Sequence, residues 1–198
     1  MRVLQQRLRR GDLFVDARAN VGTYPGLAAA LGASVIAVEA AADTAIHLWE
    51  NVAQDGSISG EVVEAAAGSA LGSTPYNVDR DSVNRIDVEG SVGVRVAAPD
   101  SLTGSRRVAG LKVDVEGQER ELLEGASSAL RDRRIALVQM ERNSASPESL
   151  EQHRDPVADM LNEYGYRLLR PSRDGVLLPT DDLERPSEMF VAPASALS

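Results

Sequence analysis

The chain has 198 residues, 30 acidic against 21 basic side chains for a net charge of −9, and no cysteine. That length suits one domain able to bury a real core, and the missing thiols exclude disulfides and thiolate metal sites. The acidic balance argues against a nucleic-acid partner, which needs a basic face.

The opening stretch, MRVLQQRLRRGDLF, is basic but lacks the apolar core of a secretory signal. No apolar run reaches the ~18–20 residues of a membrane span, so a cytoplasmic setting without membrane contact is expected. Residues 12–16 (DLFVD) are a short apolar run ending in an acid, followed by the turn ARANVG, and read as strand then loop. YPGLAAALG follows as a helix, with Pro25 in its first turn and Gly32 at its stop. SVIAVE (34–39) is a second strand. Asp43 is suited to cap the next helix, which presents Ile46, Trp49 and Ala53 on one face and stops at Gly56. EVVEAA (61–66) is a third strand.

Residues 68–107 break this rhythm. They are rich in Gly, Ser, Asp and Pro and alternate over 86–96, as an inserted hairpin does. GLKVDVEG is a fourth strand, and QERELLEGASSAL a helix with Leu122, Leu123, Ala126 and Leu130 at helical spacing. IALVQME (135–141) is a fifth strand. Asp155 and Pro156 are an N-cap and first-turn pair for VADMLNEYG, and YRLLRP and EMFVAPA close the chain as two more strands. Strands alternating with helices predict a single α/β domain over 1–198 with a seven-stranded, mainly parallel sheet and an insertion at about 68–107.

The signature DVEG occurs twice, ending at Gly90 and at Gly117. After Gly90 a period of two continues through Val92, Val94 and Val96, so Asp87 and Glu89 belong to the polar face of a strand. After Gly117 the period becomes helical, so Asp114 and Glu116 sit where a strand passes into a helix. The flanks share nothing else, so this is not an internal repeat. Ligands of parallel α/β sheets bind at the carboxyl ends of strands. The informative residues are therefore Asp16, Glu39, Ala66, Asp114 and Glu141. Asp16, then Gly22, then Glu39 at the end of the next strand is a nucleotide-site layout in which the later acid takes the ribose hydroxyls. ARANVG offers one glycine where the dinucleotide pattern G-x-G-x-x-G wants three. This disfavours a nicotinamide oxidoreductase but not other adenosine ligands.

FVDARANVGTY resembles the D-x-G-A-N-x-G loop of FkbM-type S-adenosylmethionine-dependent methyltransferases. VIAVEA resembles their second strand, LKVDVEGQERELLEGA their distinctive K-I-D-V-E-G segment, and LVQME and GYRLL…EMFVAP their later strands. The resemblance covers about residues 11–193. It implies a Rossmann-like class I methyltransferase fold, S-adenosylmethionine as cofactor, and O-methylation of a sugar or natural-product hydroxyl. By position it implies that Asp16, Ala19, Asn20 and Gly22 form the methionine-side loop and that Glu39 binds the ribose. Ala66, Ala67 and Ser69 would lie near adenine, with Asp114 and Glu116 facing the methyl group or the acceptor.

Three positions depart from that pattern. Arg18 replaces a glycine, and is expected either to crowd the cofactor or to turn to solvent or to the cofactor carboxylate. Ala40 replaces a proline, and Asn143 stands where many relatives have histidine.

The candidates for the base that deprotonates an acceptor hydroxyl are Asp114, Glu116, Glu141 and His153, with Asp114 best placed. Convergence of Asp114, Glu116 and Glu141 would suit Mg²⁺; the favoured reading has Glu116 paired with an arginine and no metal. His47 reads as structural. Lys112, the sole lysine, reads as an internal ion-pair partner. The partners expected are a small-molecule hydroxyl acceptor and, at most, a second copy of the chain. The competing reading is a non-catalytic module of the same fold whose cofactor site Arg18 has compromised.

Overall fold

The computed structural model describes residues 1–53, 60–77, 85–86, 92–115, 117–141, 156–181 and 188–197. Its main sheet contains, in chain order, β1 (Leu13–Asp16), β2 (Ser34–Glu39), β3 (Gly60–Glu64), β8 (Gly110–Val113), β9 (Val138–Glu141), β10 (Tyr166–Pro171), β11 (Leu177–Pro179) and β12 (Glu188–Pro193). They lie in the order β11-β10-β12-β9-β8-β1-β2-β3. The block β3-β2-β1-β8-β9 is parallel throughout. The β12, β10 and β11 strands extend it in antiparallel fashion. The chain leaves β1 toward β2 and later returns to β1's other side as β8, so the strand order reverses at β1. That reversal opens a crevice at the carboxyl ends of β1 and β8.

The sheet is buried on both faces, which is why its central strands read as nearly continuous apolar runs. On one face Phe14, Val35, Leu137 and Phe190 pack against α1 (Arg2–Arg7), α2 (Thr23–Ala30) and α3 (Ala42–Ala53). On the other, Val15, Ile36, Leu111, Val138 and Met140 meet α5 (Glu119–Glu124), α6 (Ser127–Arg131) and α7 (Pro156–Glu163). A second sheet holds β4 (Ala66–Ala67), β7 (Val92–Ala97), β5 (Gly72–Asn77) and β6 (Arg85–Ile86) in that order, and α4 (Pro99–Thr103) leads back to β8. Among the described residues no helix is long and apolar enough to cross a membrane.

Several expectations are corrected. The main sheet has eight strands: the three-residue β11 pairs with the edge of β10 beyond the seven expected. The third strand ends at Glu64, and Ala66–Ala67 leave it to pair with Val96–Ala97, where the Ala66 side chain packs on Ala40 and Ala41. The fifth begins at Val138, Ile135 making only an isolated bridge to Val108. The single helix after Gly117 is two. The Gly125 carbonyl accepts the Asp100 amide, and the Asp100 carboxylate takes the amides of Ser128 and Ala129 at the start of α6. A Cβ at Gly125 would strike the Gly68 carbonyl, so the chain passes there as glycine. The α1 helix, unforeseen in the basic N-terminal stretch, buries Val3 and Leu4. Gly56, Asp87, Glu89 and Asp155 lie outside the described residues.

The α3 helix turns a different face inward from the one expected. Ala45, Leu48 and Val52 are buried, whereas Ile46 and Trp49 are 57% and 62% exposed. Both stripes satisfy helical spacing and lie about 100° apart. Packing selects the smaller one: a Cβ at Gly22 would come within 2.9 Å of Leu48 Cδ1, too close for a bulkier inner face. Asp43 lies inside the first turn rather than before it. Replacing Leu48 by alanine should therefore cost about 2–5 kcal/mol of stability, and replacing Trp49 about 0.5 kcal/mol or less. Urea unfolding of the two variants checks the assignment, and a larger loss at Trp49 would reverse it.

Candidate active site

The crevice is built around the ends of β1, β2 and β8. Asp16 ends β1 and is almost wholly buried at 1% exposure. In the parallel register it lies opposite Lys112 of β8, which in turn lies opposite Gln139 of β9. Residues in register share a face, as do residues two apart along a strand. Asp16, Lys112, Gln139, Asp114 and Glu141 are therefore set on the α2 side of the sheet.

Lys112 connects this row. Its Nζ is 3.2 Å from Asp114 Oδ2 and 3.8 Å from Asp16 Oδ1, and it lies 4.9 Å from the centre of the Tyr24 ring. The expected internal ion-pair role of Lys112 is the one seen. The ammonium does not offset the burial of Asp16. Desolvation raises its carboxyl from 3.8 to about 7, against the lowering effects of Lys112 and of the Arg18 amide. Asp114 and Glu39 push it further up. Asp16 Oδ2 is buried without a hydrogen-bond partner.

The loop from Ala17 to Thr23 folds over this row. The Ala19 amide donates to Val38 O and the Gly22 amide to Ala19 O, both at 2.9 Å. Asn20 (φ 48°) and Gly22 (φ 96°) take left-handed backbone conformations. Asparagine is the side chain that best tolerates this region after glycine, and Gly22 also avoids Leu48. Glu39, 4% exposed at the end of β2, accepts the Asn20 amide on Oε2 at 3.0 Å and the Ala41 amide on Oε1 at 2.9 Å. Each oxygen retains a second acceptor site.

Of the courses expected for Arg18, the turn to solvent is not the one taken. It is not among the left-handed residues, so its position does not require glycine. Its guanidinium turns inward, with Nη1 3.7 Å from Asp114 Oδ1. Asp114 thus lies between Arg18 and Lys112. Glu141, at the end of β9, has its carboxyl raised above the usual range by partial desolvation, then by the Asp114 charge and a hydrogen bond with Asp114.

A neighbouring network was not foreseen. Tyr24 Oη donates to Glu188 Oε1 at 3.2 Å, and Gln139 Nε2 reaches the same oxygen at 3.1 Å and Tyr24 Oη at 3.3 Å. Burial, and then the Glu188 charge, push the Tyr24 hydroxyl up to about 12, so it remains a donor. Glu188 lies opposite Glu141 in the β9–β12 register. The sequence signals were a polar Gln139 inside an apolar strand and an acid opening the last one.

The structure thus brings Asp16, Ala19, Asn20, Gly22, Glu39, Asp114 and Glu141 to one edge of the sheet. Ala66 lies against Ala40 and Ala41, just past Glu39, whereas Ala67 turns into the core cluster of Val63 and Ala97. Ser69 is exposed beyond them. Glu116, Asn143 and His153 lie outside the described residues. Among those described, no group of three or more histidine, cysteine or carboxylate side chains could hold a metal ion.

The mainly parallel sheet, with its order reversal at β1 and its antiparallel closing strands, is that of the class I methyltransferase fold. Solved structures agree. A Streptococcus mutans protein described as a candidate methyltransferase, in complex with S-adenosylhomocysteine, superposes with a TM-score of 0.56 at 12% identity, over 96% of this chain and 91% of that one. Precorrin-6y C5,15-methyltransferase of Geobacter metallireducens does so with 0.52 at 12%, over 96% and 82%. Identity this low speaks for the fold alone.

The model of the methyltransferase FkbM domain matches residues 16–168, and the chain belongs to that family. It is also 28% identical over 148 residues to the hexuronic acid methyltransferase AglP of Haloferax volcanii, covering 71% of this chain. The chain spans 60% of the length of that relative.

The buried Asp16 carries a pH signature. Unfolded, its carboxyl ionises near 3.8; folded, it holds its proton to about 7. Between these values the folded state binds more protons, so this group makes stability fall as pH rises from 3.8 to about 7, with no further change outside that window. Asp16→Asn should flatten this slope relative to the wild type in urea unfolding across the same window. Parallel slopes would show that Asp16 is ionised in the fold.

Proposed function

We propose that the chain is an S-adenosylmethionine-dependent methyltransferase acting on a hydroxyl group of a sugar or related small molecule. The observation that carries this reading is the pairing of two buried acids around one glycine-bearing loop. Asp16 keeps an unpartnered buried oxygen, and Glu39 keeps free acceptor sites beside the Asn20 amide. Such acceptors suit a ligand that brings hydroxyl and ammonium donors, and a buried acceptor left unmatched is costly. Bulk that Gly22 omits leaves the loop tight against α3 and holds its backbone in place. Family membership and the AglP likeness favour methyl transfer and a sugar acceptor.

In this reading Glu39 holds the ribose hydroxyls, Asp16 and the Ala19–Gly22 loop hold the methionine portion, and Ala66 and Ala67 border the adenine. When bound, the cofactor supplies an electrophilic methyl carbon on a sulfonium. The chain's share is to align an acceptor oxygen with that carbon, worth roughly 7–11 kcal/mol in favourable cases, and to take the hydroxyl proton. Partial desolvation and then the neighbouring Asp114 charge raise the proton affinity of Glu141 at the strand ends. A carboxylate tuned upward in this way is a better base for a hydroxyl than an ordinary one. Asp114, clamped by Lys112 and Arg18, positions it. The non-catalytic alternative is not favoured, because the chain belongs to a methyltransferase family.

Calorimetric titration with S-adenosylmethionine tests the reading: the wild type should bind saturably, and Glu39→Ala should weaken binding roughly 10–100-fold, as expected for lost hydrogen bonds to a charged group. No binding by the wild type at millimolar cofactor, or equal binding by the variant, would refute the assignment. A second variant addresses chemistry. With S-adenosylmethionine and a panel of sugar acceptors, Glu141→Gln should lower turnover by roughly 10²–10⁴-fold while leaving cofactor affinity unchanged; wild-type turnover would remove Glu141 from the reaction.

A further inference from the structure

The edge of the sheet opposite the acidic crevice has the reverse charge. There the starts of β1, β2, β8 and β9 surround a cleft of about 500 Å³. Arg106, Arg107, Arg133 and Arg134 line it, with Asp12 the one carboxylate. This is an unusual concentration in a chain of net charge −9. Strand rise is roughly 3.3 Å per residue, so the span of β1 puts roughly 10 Å between this cleft and Asp16.

Two of the four arginines are held by hydrogen bonds, one of them by carbonyls alone. Arg106 Nε donates to Thr103 O at 3.1 Å, and its Nη2 reaches Leu102 O. These bonds to the end of α4 fix the guanidinium without cancelling its charge. Arg134 Nη1 donates to Gly104 O at 2.6 Å; its Nε is 3.3 Å from Asp132 Oδ2 and its Nη2 3.9 Å from Asp100 Oδ1, so this one cation is compensated. Asp12 Oδ2 is engaged by the Arg9 amide at 2.7 Å. Arg107 is exposed.

Arg133 adds a separate observation. Its φ is +52°, and its amide and that of Arg134 close the end of α6 on Leu130 O and Ala129 O. Glycine is the usual residue at such a left-handed helix stop, because any Cβ is disfavoured there. The Arg133 guanidinium passes over Gly165, where a Cβ would meet Nη2 at 3.2 Å, and backbone strain of this kind collects at functional positions.

We propose that this cleft is an anion site for a phosphate-bearing small molecule. Guanidinium forks fit phosphate oxygens in pairs and remain charged at any physiological pH. The volume lies in the range of small-molecule pockets. The site is distinct from the crevice of the proposed methyl transfer and does not rest on that reading.

Titration of the full chain with inorganic pyrophosphate at fixed ionic strength tests the site. The wild type should bind one equivalent saturably. Arg107→Ala and Arg133→Gly should each weaken binding by roughly tenfold or more, the scale of a lost charged hydrogen bond. Arg133→Gly should keep or raise the melting temperature, because glycine relieves the left-handed backbone; a purely structural arginine would give the opposite pair of results. Parallel titrations with orthophosphate and a nucleoside diphosphate separate the sources: tighter binding of the nucleotide marks a nucleotide ligand, equal binding a free anion. The proposal is overturned if the wild type shows no saturable binding at millimolar pyrophosphate, if both variants bind it as the wild type does, or if S-adenosylhomocysteine competes with it.

Discussion

The buried ammonium of Lys112 is the contact on which the rest of the crevice depends. It sits between Asp16 at the end of β1 and Asp114 just past β8, and so ties together the two strands at which the sheet reverses its order. An ammonium at this depth is tolerated only when paired, and so are the acids around it. Removing it would leave Asp114 to Arg18 alone and Asp16 with no cation. A chain that otherwise uses arginine keeps its sole lysine here. The compact charge fits beneath the Tyr24 ring and between two carboxylates, where a planar guanidinium has a different shape and hydrogen-bond geometry.

From that contact the neighbouring features follow in order. Asp16 is shielded on all sides and holds its proton toward neutrality. Asp114, gripped by Lys112 and Arg18, presents its carboxylate to Glu141 and raises that group's proton affinity. Tyr24, Gln139 and Glu188 close the far side as a hydrogen-bonded unit. Polar groups packed this closely hold one another in fixed orientations when satisfied. Two buried atoms, Asp16 Oδ2 and Gln139 Oε1, are the acceptors this arrangement leaves unmatched.

Much of this was legible in the sequence, because strand and helix periods and strand-ending acids are local signals. Seven strands, the loop at Asp16–Gly22, and Glu39, Asp114 and Glu141 at strand ends all follow from them. What was not legible depends on packing between distant segments. Gln139 meets Tyr24 and Glu188, which lie 115 and 49 residues away in the chain, so its role has no local signature. The α3 helix offers two stripes of equal spacing, and only packing against the sheet and the Gly22 turn selects Leu48 over Trp49. The inward turn of Arg18 depends likewise on Asp114, 96 positions further on. The β11 strand and α1 are too short for a period to register.

The edge of the sheet that carries Asp16, Glu39 and Asp114 is proposed as an S-adenosylmethionine site. A crystal structure of the chain with S-adenosylhomocysteine tests it most directly. The account predicts the ribose hydroxyls on the Glu39 carboxylate, the amino group near Asp16 Oδ2, and the sulfur turned toward Asp114 and Glu141. A ligand bound elsewhere, or one whose ribose makes no contact with Glu39, would contradict it.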